Sequence, residues 1–158
     1  MRDIAPGEEL TISYIDTLAP YRQRQQRLQS SLGFECSCAR CSLDEDERDE
    51  SDDLLHAIAE LEAELGDFAS TRASPALAEE LLELYVAEGL QSKMGGAYTL
   101  AALNYALVGK EDEARRYATL AAETVEWEFG SAAEDAVAMR EMARDPRKHW
   151  SWGKRRGR

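Results

Sequence analysis

All three cysteines of this chain lie within six residues, in the pattern C-x-C-x-x-C formed by Cys36, Cys38 and Cys41. Thiolates at this spacing can converge on one metal ion, and a structural zinc ion takes four such ligands in a tetrahedron. The segment therefore offers three zinc ligands and needs a fourth from another residue. His56 and His149 are candidate fourth ligands by residue type, but both lie far from the cysteines in sequence, and we interpret both as ordinary residues.

The composition is that of a soluble chain long enough to bury a hydrophobic core. Its 158 residues are 44% hydrophobic and 32% charged, which is typical of globular domains. No apolar run approaches the length of a membrane span, and the N-terminus has no signal-peptide pattern. An odd number of cysteines then favours the reducing nucleus or cytoplasm, where thiols bind metals. We expect no membrane partner.

The charges are distributed unevenly along the chain. The net charge of −12 argues against nucleic acid as a partner of the whole chain. Residues 44–53 hold eight acids and one arginine, and Arg144–Arg158 hold seven basic residues. Because such blocks usually form solvated, mobile segments, we predict an acidic linker at 44–53 and a disordered basic tail at 145–158. A nuclear-import signal or a phosphate-binding arm remains an alternative for the tail.

The elements that must position the cysteines lie within residues 1–43. The segment Glu9–Ile15 alternates apolar and polar residues, which predicts a half-buried strand after a tight turn at Pro6-Gly7. Tyr21–Leu32 is predicted to form a short polar helix, ended by Gly33 in a left-handed conformation. The first zone is therefore a short β/turn segment that carries the cysteines.

The zone 54–144 is predicted to be an α-helical domain. Apolar residues from Leu54 to Leu65 recur on one helical face, and Gly66 ends that helix. Ser74 and Pro75 begin a second helix, and a capping box at Ser131 with Glu134 begins the last.

The middle of this zone has the most regular pattern of small residues. These residues are spaced as in a tetratricopeptide hairpin, with a generic antiparallel helix pair as the alternative: Ala102, Tyr105, Gly109, Ala114, Ala118 and Ala121. The fold class expected is mainly α, with a tetratricopeptide-like bundle after the β/turn segment.

Two motifs in the first zone together resemble a known family. They are Arg2-Asp3-Ile4 with Gly7-Glu8-Glu9-Leu10-Thr11-Ile12-Ser13-Tyr14-Ile15-Asp16, and Gly33-Phe34-x-Cys36-x-Cys38-x-x-Cys41. The first resembles the C-terminal half of a SET domain, and the second resembles its post-SET zinc motif. Their order and spacing are similar to the SET-and-MYND class and its fungal relatives. The resemblance covers residues 2–42, and the helical remainder resembles that class only in architecture.

The resemblance implies roles for five residues. The family transfers a methyl group from S-adenosylmethionine to a protein lysine. Tyr14 matches the tyrosine whose hydroxyl lines the methyl-transfer channel, and Phe34 matches the aromatic residue packed against the adenine of the cofactor. Cys36, Cys38 and Cys41 match three zinc ligands. The alternatives are that Tyr14 packs in a core and that Phe34 packs against the zinc knot, which is compatible with the adenine role.

Several family motifs are not found in this sequence. In the resembled family the fourth zinc ligand is a cysteine in an upstream Asn-His-Ser-Cys-like motif, and a glycine-containing cofactor motif lies near the start of the SET domain. We therefore expect a C-terminal piece of a protein-lysine methyltransferase that is inactive as an isolated chain. Its substrate in the complete enzyme would be a lysine of a histone or another protein. The alternative is a non-enzymatic helical adaptor that binds basic peptides.

Overall fold

The computed structural model describes residues 5–8 and 12–156 of the chain. All regular secondary structure in these residues is helical, which confirms the mainly α class. The α-helices are α1 (Tyr21–Leu32), α2 (Glu45–Gly66), α3 (Pro75–Ala87), α4 (Gly95–Leu107), α5 (Glu111–Phe129) and α6 (Glu134–Arg144), with short 3₁₀ turns at Ala39–Ser42, Gln91–Lys93 and Pro146–Lys148. The chain divides into two compact units, 1–55 and 56–158. In the described part of the chain, no helix combines the length and the apolar character that crossing a bilayer requires.

The predicted strand at Glu9–Ile15 is wrong where it can be compared with the structure. Residues 9–11 lie outside the described residues, residues 12 and 13 have no regular secondary structure, and Tyr14 and Ile15 form a bend. A strand needs a paired neighbour for its backbone groups, and the described residues contain no other strand. The Ile15 carbonyl instead accepts a local hydrogen bond from the Ser13 hydroxyl at 2.7 Å.

The polar helix before the cysteines has the predicted bounds. Helix α1 runs from Tyr21 to Leu32, and Gly33 follows with a φ of 74°. In this left-handed conformation the Gly33 N–H reaches the carbonyls of Leu28 and Gln29, both at 3.1 Å. These bonds satisfy carbonyls that the end of a helix leaves without partners.

The acidic segment 44–53, predicted as a linker, is helical from Glu45 onwards and forms the N-terminal part of α2. A capping box begins the helix: the Asp44 carboxylate accepts the Glu47 N–H at 2.9 Å, and the Glu47 carboxylate accepts the Asp44 N–H at 3.3 Å. Three acids occupy the first turn, where the positive end of the helix dipole stabilises them. The predicted end at Gly66 is confirmed. The division of the chain into functional domains stays a prediction.

Two predicted helix starts had different outcomes. The Ser74 hydroxyl accepts the Leu77 N–H at 3.4 Å, with Pro75 as the first residue of α3, as expected. The capping box at Ser131 is wrong, because α6 begins at Glu134 after Ala133, which has no capping side chain. Glu134 is thus the first helical residue and cannot reach back as the third residue of a capping box does.

Small residues line the contact between α4 and α5. Ala102 of α4 and Ala114, Ala118 and Ala121 of α5 are all fully buried, and Gly109 with a φ of 75° forms the turn between the helices. Alanines let two helix backbones approach closely, so the expected helix pair is confirmed. A tetratricopeptide-like arrangement stays a prediction.

The described part of the basic tail is folded, which corrects the prediction of a disordered segment. The backbone N–H groups of Gly153 and Arg155 donate to the last two carbonyls of α4, both at 2.8 Å. The Arg155 guanidinium also donates to the carbonyls of Ala73 and Asp67 and to the side chain of Asn104. The backbone bonds satisfy carbonyls that the end of α4 leaves without partners. The side-chain bonds of Arg155 hold the tail in the folded structure.

One carboxylate connects three helices of the second unit. Glu79 of α3 accepts hydrogen bonds from the hydroxyls of Tyr105 on α4 and Tyr117 on α5, each with a shortest distance of 2.7 Å. Burial, followed by the hydrogen bond to Glu79, raises the pKa of Tyr117 to about 12 and also raises that of Tyr105. Both phenols therefore remain donors at physiological pH.

This arrangement predicts an alkaline limit to stability. An unfolded tyrosine ionises near pH 10, and Tyr117 ionises near 12 in the folded state. The folded state therefore holds this proton more tightly, and its contribution is complete below about pH 10 and lost as pH rises towards 12. We expect Tyr117→Phe to remove on the order of 2 kcal/mol of this pH-dependent change in the free energy of unfolding. Urea denaturation of both proteins at a series of alkaline pH values measures it, and parallel pH profiles would contradict it.

Candidate metal centre

The sulfur atoms of Cys36, Cys38 and Cys41 lie within 4.8 Å of one another. The 3₁₀ turn Ala39–Ser42 produces this convergence, because the Cys41 N–H donates to the Cys38 carbonyl at 2.9 Å. Sulfurs bound to one zinc ion at about 2.3 Å would lie about 3.8 Å apart in a tetrahedron. A small contraction would bring the three sulfurs to that spacing, and thiolates suit zinc as ligands. The residues therefore fit a zinc ion as three of its four ligands.

A glutamine side chain holds the first cysteine against α1. The Gln25 amide donates to the Cys36 carbonyl at 2.8 Å, and its oxygen accepts the Cys36 N–H at 2.9 Å. Both polar groups of one residue of the loop are thus paired with one side chain of a helix. This pair of bonds fixes the position of Cys36 relative to α1.

Two arginines line the same cavity as the cysteines. Arg24 is only 4% exposed, and its guanidinium donates to the Ala19 carbonyl at 2.7 Å. The guanidinium of Arg40 donates to the Thr17 carbonyl at 2.7 Å. Three thiolates on one Zn²⁺ leave a net charge of −1, so nearby guanidinium groups lower the cost of burying that charge.

The pKa values of two of the thiols shift in opposite directions in the metal-free chain. Burial, followed by the neighbouring Cys38, raises the pKa of Cys41 to about 11, although the hydrogen-bonded Arg24 guanidinium opposes the increase. Burial also acts to raise the pKa of Cys38, but hydrogen bonds from the Cys41 backbone and from the thiols of Cys36 and Cys41 outweigh it and lower the pKa. The thiols of Cys38 and Cys41 therefore do not titrate independently of each other.

Tyr14 and Phe34 lie in the same cavity as the three cysteines. The cavity has a volume of about 400 Å³, within the range of ligand sites. The two rings meet edge to face, with 6.3 Å between centroids and 81° between planes. Tyr14 is 67% exposed and Phe34 is 40% exposed, so both rings form an open wall. All five residues singled out in the sequence are thus neighbours, while their functional roles stay predictions.

The metal group among the described residues contains no histidine. His149 has its ring nitrogen Nδ1 at 2.8 Å from the Ser151 hydroxyl. Burial, followed by the charge of Lys154, lowers the pKa of His149. His56 is an exposed residue of α2. The interpretation of both histidines as ordinary residues agrees with these positions.

The residues that support the cysteines lie outside the cysteine pattern. They are Gln25, Arg24 and Arg40, and sequence reasoning did not single them out. A signal for Arg24 was present, because Arg24 and Leu28 are one helical turn apart and are the two buried residues of α1. No comparable pattern in the sequence marks Gln25.

Several curated relatives of this chain are SET-domain proteins. The chain is 43% identical over 49 residues to the histone-lysine N-methyltransferase SMYD3 of Homo sapiens, which covers 31% of this chain and 11% of the relative. It is 52% identical over 40 residues to the histone-lysine N-methyltransferase SET5 of Meyerozyma guilliermondii, covering 25% and 8%. A longer match of 122 residues, 30% identical, joins it to protein SET DOMAIN GROUP 41 of Arabidopsis thaliana and covers 71% and 22%.

The chain therefore resembles SET-domain lysine methyltransferases over partial stretches, as the cysteine motif predicted. It spans between 8% and 22% of the length of these three relatives. No protein-family model matches the chain. No solved structure matches it either.

The convergence of the sulfurs predicts one metal ion per chain. Titration of the reduced chain with Co²⁺ should give sulfur-to-metal charge-transfer absorption that saturates at one equivalent, because three thiolates are within reach of one ion. Any one of Cys36→Ser, Cys38→Ser and Cys41→Ser should weaken binding at least tenfold, whereas Ser37→Ala in the same loop should not. Zn²⁺ should displace the Co²⁺, and a chelator should then remove the Zn²⁺ readily because one ligand position is open to exchange. Absorption that is unchanged in the three cysteine variants would contradict the site.

The glutamine bonds predict a supporting residue for the metal site. Gln25→Leu should remove both bonds to Cys36 and weaken Co²⁺ binding about tenfold, the effect typical of losing an outer partner of a metal ligand. Gln26→Leu is the matched control, because Gln26 is the exposed neighbour on the same helix. Equal Co²⁺ affinities of the two variants would show that the Gln25 bonds do not position the site.

Proposed function

We propose that this chain forms the zinc knot and one wall of the methyl-transfer site of an S-adenosylmethionine-dependent protein-lysine methyltransferase. The observation that carries the proposal is that Tyr14 and Phe34 lie in one cavity with Cys36, Cys38 and Cys41. The partial matches to lysine methyltransferases and to a SET-domain-group protein support the same class of protein.

The metal group has a structural part in this proposal. Zinc, when bound, cross-links the loop that carries the cysteines, and a fourth ligand added to the three cysteines would close the site to water and substrate. Cys36, Cys38 and Cys41 hold it, Gln25 anchors the first of them to α1, and Arg24 offsets the charge of the thiolates. Phe34 lies two residues before Cys36, so a fixed knot also fixes the backbone that carries this ring.

Phe34 serves as the surface on which the adenine ring of S-adenosylmethionine packs. Its ring is partly exposed, and its contact with the edge of Tyr14 limits its orientation. A flat adenine placed on such a ring gains apolar contact and stacking in a defined position. The bound cofactor supplies the methyl group, and the residues of the chain supply its orientation.

Tyr14 orients the amine that receives the methyl group. The reaction needs a neutral lysine nitrogen aligned with the methyl carbon, so a positioned hydroxyl is more useful than a strong acid or base. The exposed Tyr14 ring lies beside Phe34 and therefore beside the proposed adenine surface. Its hydroxyl can accept a hydrogen bond from the amine of an entering lysine and turn its lone pair towards the methyl group.

The open position of both rings supports a one-wall site. Ligand pockets cover about 70–90% of the ligand surface, whereas Tyr14 and Phe34 are 67% and 40% exposed. We therefore assign the further walls of the site to protein other than the described residues. We propose that the chain by itself binds S-adenosylmethionine weakly and does not transfer methyl groups. The protein substrate, histone or otherwise, and a location in the nucleus or cytoplasm belong to the same proposal.

Labelling with tritiated S-adenosylmethionine tests the cofactor surface. Ultraviolet cross-linking should attach the cofactor to the zinc-loaded chain, and Phe34→Ala should lower the label about three- to tenfold, as expected from the loss of a stacking partner. Phe129→Ala is the matched control, because Phe129 is an exposed phenylalanine at the end of α5. Label that is absent from the native chain, or equal in Phe34→Ala and the native chain, would contradict the proposed function.

Transfer to lysine-containing protein in the same reactions tests the one-wall site separately. We expect no tritium in the substrate, since the site lacks its other walls. Transfer that disappears in Tyr14→Phe would support the class of enzyme and refute the proposal that the chain forms only part of the site.

A further inference from the structure

A second cavity of about 460 Å³ lies in the helical unit between α3 and α5. Along α3 it is lined by one helical face, at positions i, i+3, i+4, i+7 and i+8: Glu79, Leu82, Glu83, Val86 and Ala87. The cavity is a groove that runs along α3, and we call it the α3–α5 groove. Val86 is 52% exposed, so the apolar face continues to the surface without a covering element among the described residues.

The opposite wall of the groove is aromatic and apolar. Tyr117 of α5 and Tyr98 of α4 stack with 6.2 Å between ring centroids and 25° between planes. Met94 and Leu120 complete this wall. Tyr117 is 4% exposed and held by Glu79, so the wall is fixed before any ligand enters. A preformed wall lowers the entropic cost of binding.

The charges of the groove favour a cation. Glu79 and Glu83 both line it, and Arg116 is the one basic residue among its described lining residues. The Arg116 guanidinium lies 5.1 Å from the centre of the Tyr117 ring, so a cation of the chain itself contacts this ring and the acids are the groups that attract a ligand cation. The chain carries a net charge of −12 and therefore attracts basic ligands over longer distances.

We propose that the α3–α5 groove binds a basic segment of a partner protein, in which lysines or arginines alternate with apolar residues. The apolar residues contact Leu82, Val86 and Leu120, and a cationic group pairs with Glu83. A second copy of the chain is a poorer occupant because it carries the same strongly negative charge. The groove lies in the helical unit, so this interaction is separate from the proposed methyl transfer.

A fluorescein-labelled amphipathic peptide of leucine and lysine is the probe, and its anisotropy is measured with the full chain. Val86→Asn should weaken binding about tenfold, as expected from the loss of one buried valine contact, and Val137→Asn on exposed α6 should not. Glu83→Gln should weaken binding about threefold, as for one surface ion pair, whereas Glu80→Gln, outside the groove on the same helix, should not. Arg116→Gln should strengthen binding, because it removes a charge of the same sign as the peptide.

The outcomes separate this proposal from general attraction between opposite charges. A peptide with glutamate in place of lysine should not bind. Equal effects of Val86→Asn and Val137→Asn, or of Glu83→Gln and Glu80→Gln, would overturn the groove as the site, as would absence of binding at millimolar peptide. Sedimentation of the chain alone should show a monomer, and a dimer that Val86→Asn dissociates would assign the groove to a second copy instead. None of these measurements involves S-adenosylmethionine, so failure here leaves the labelling result interpretable.

Discussion

The position of the loop that carries the cysteines depends on two hydrogen bonds between the side-chain amide of Gln25 and the backbone of Cys36. Gln25 pairs with both backbone groups of Cys36, and no strand among the described residues offers the loop a ladder to join. A loop of this kind has little apolar surface to bury and would otherwise lose more conformational entropy than its contacts recover. The amide fixes the first cysteine relative to α1. The 3₁₀ turn Ala39–Ser42 then brings Cys38 and Cys41 together by local backbone geometry.

Helix ends were predicted correctly where they depend only on neighbouring residues. The bounds of α1, the end of α2 at Gly66 and the Ser74 cap follow from residues within one turn of the feature concerned. The start of α2 was not predicted, because its capping residues lie within a run of acids that is also typical of a solvated segment. Asp44 and Glu47 form a capping box within the run of acids that we interpreted as a solvated linker. These acids stabilise the helix because they lie at its N-terminus.

Features that depend on distant partners could not be predicted in this way. The alternation at 9–15 is a necessary property of a half-buried strand, but a strand also needs a neighbour, which no pattern inside the segment supplies. The basic tail has the composition of a mobile segment, yet Arg155 reaches the carbonyls of Asp67 and Ala73, more than eighty residues away in sequence. Convergence of the cysteines was predictable from spacing alone, whereas their support by Gln25 was not, because a glutamine in a polar helix has no distinguishing context.

The two aromatic sites of this chain are built on opposite principles, and the difference bears on what each can do. In the helical unit, Glu79 fixes Tyr105 and Tyr117 with hydrogen bonds, so the groove has its shape before a ligand arrives. Tyr14 and Phe34 limit each other only through an edge contact and remain largely open to water. Recognition of a basic segment tolerates a wet rim, but methyl transfer requires close alignment of two reactants in a site that excludes solvent. The fixed groove therefore meets the requirement for binding a basic segment, whereas the open wall of Tyr14 and Phe34 would need a further surface to meet the requirement of the methyl transfer proposed for it.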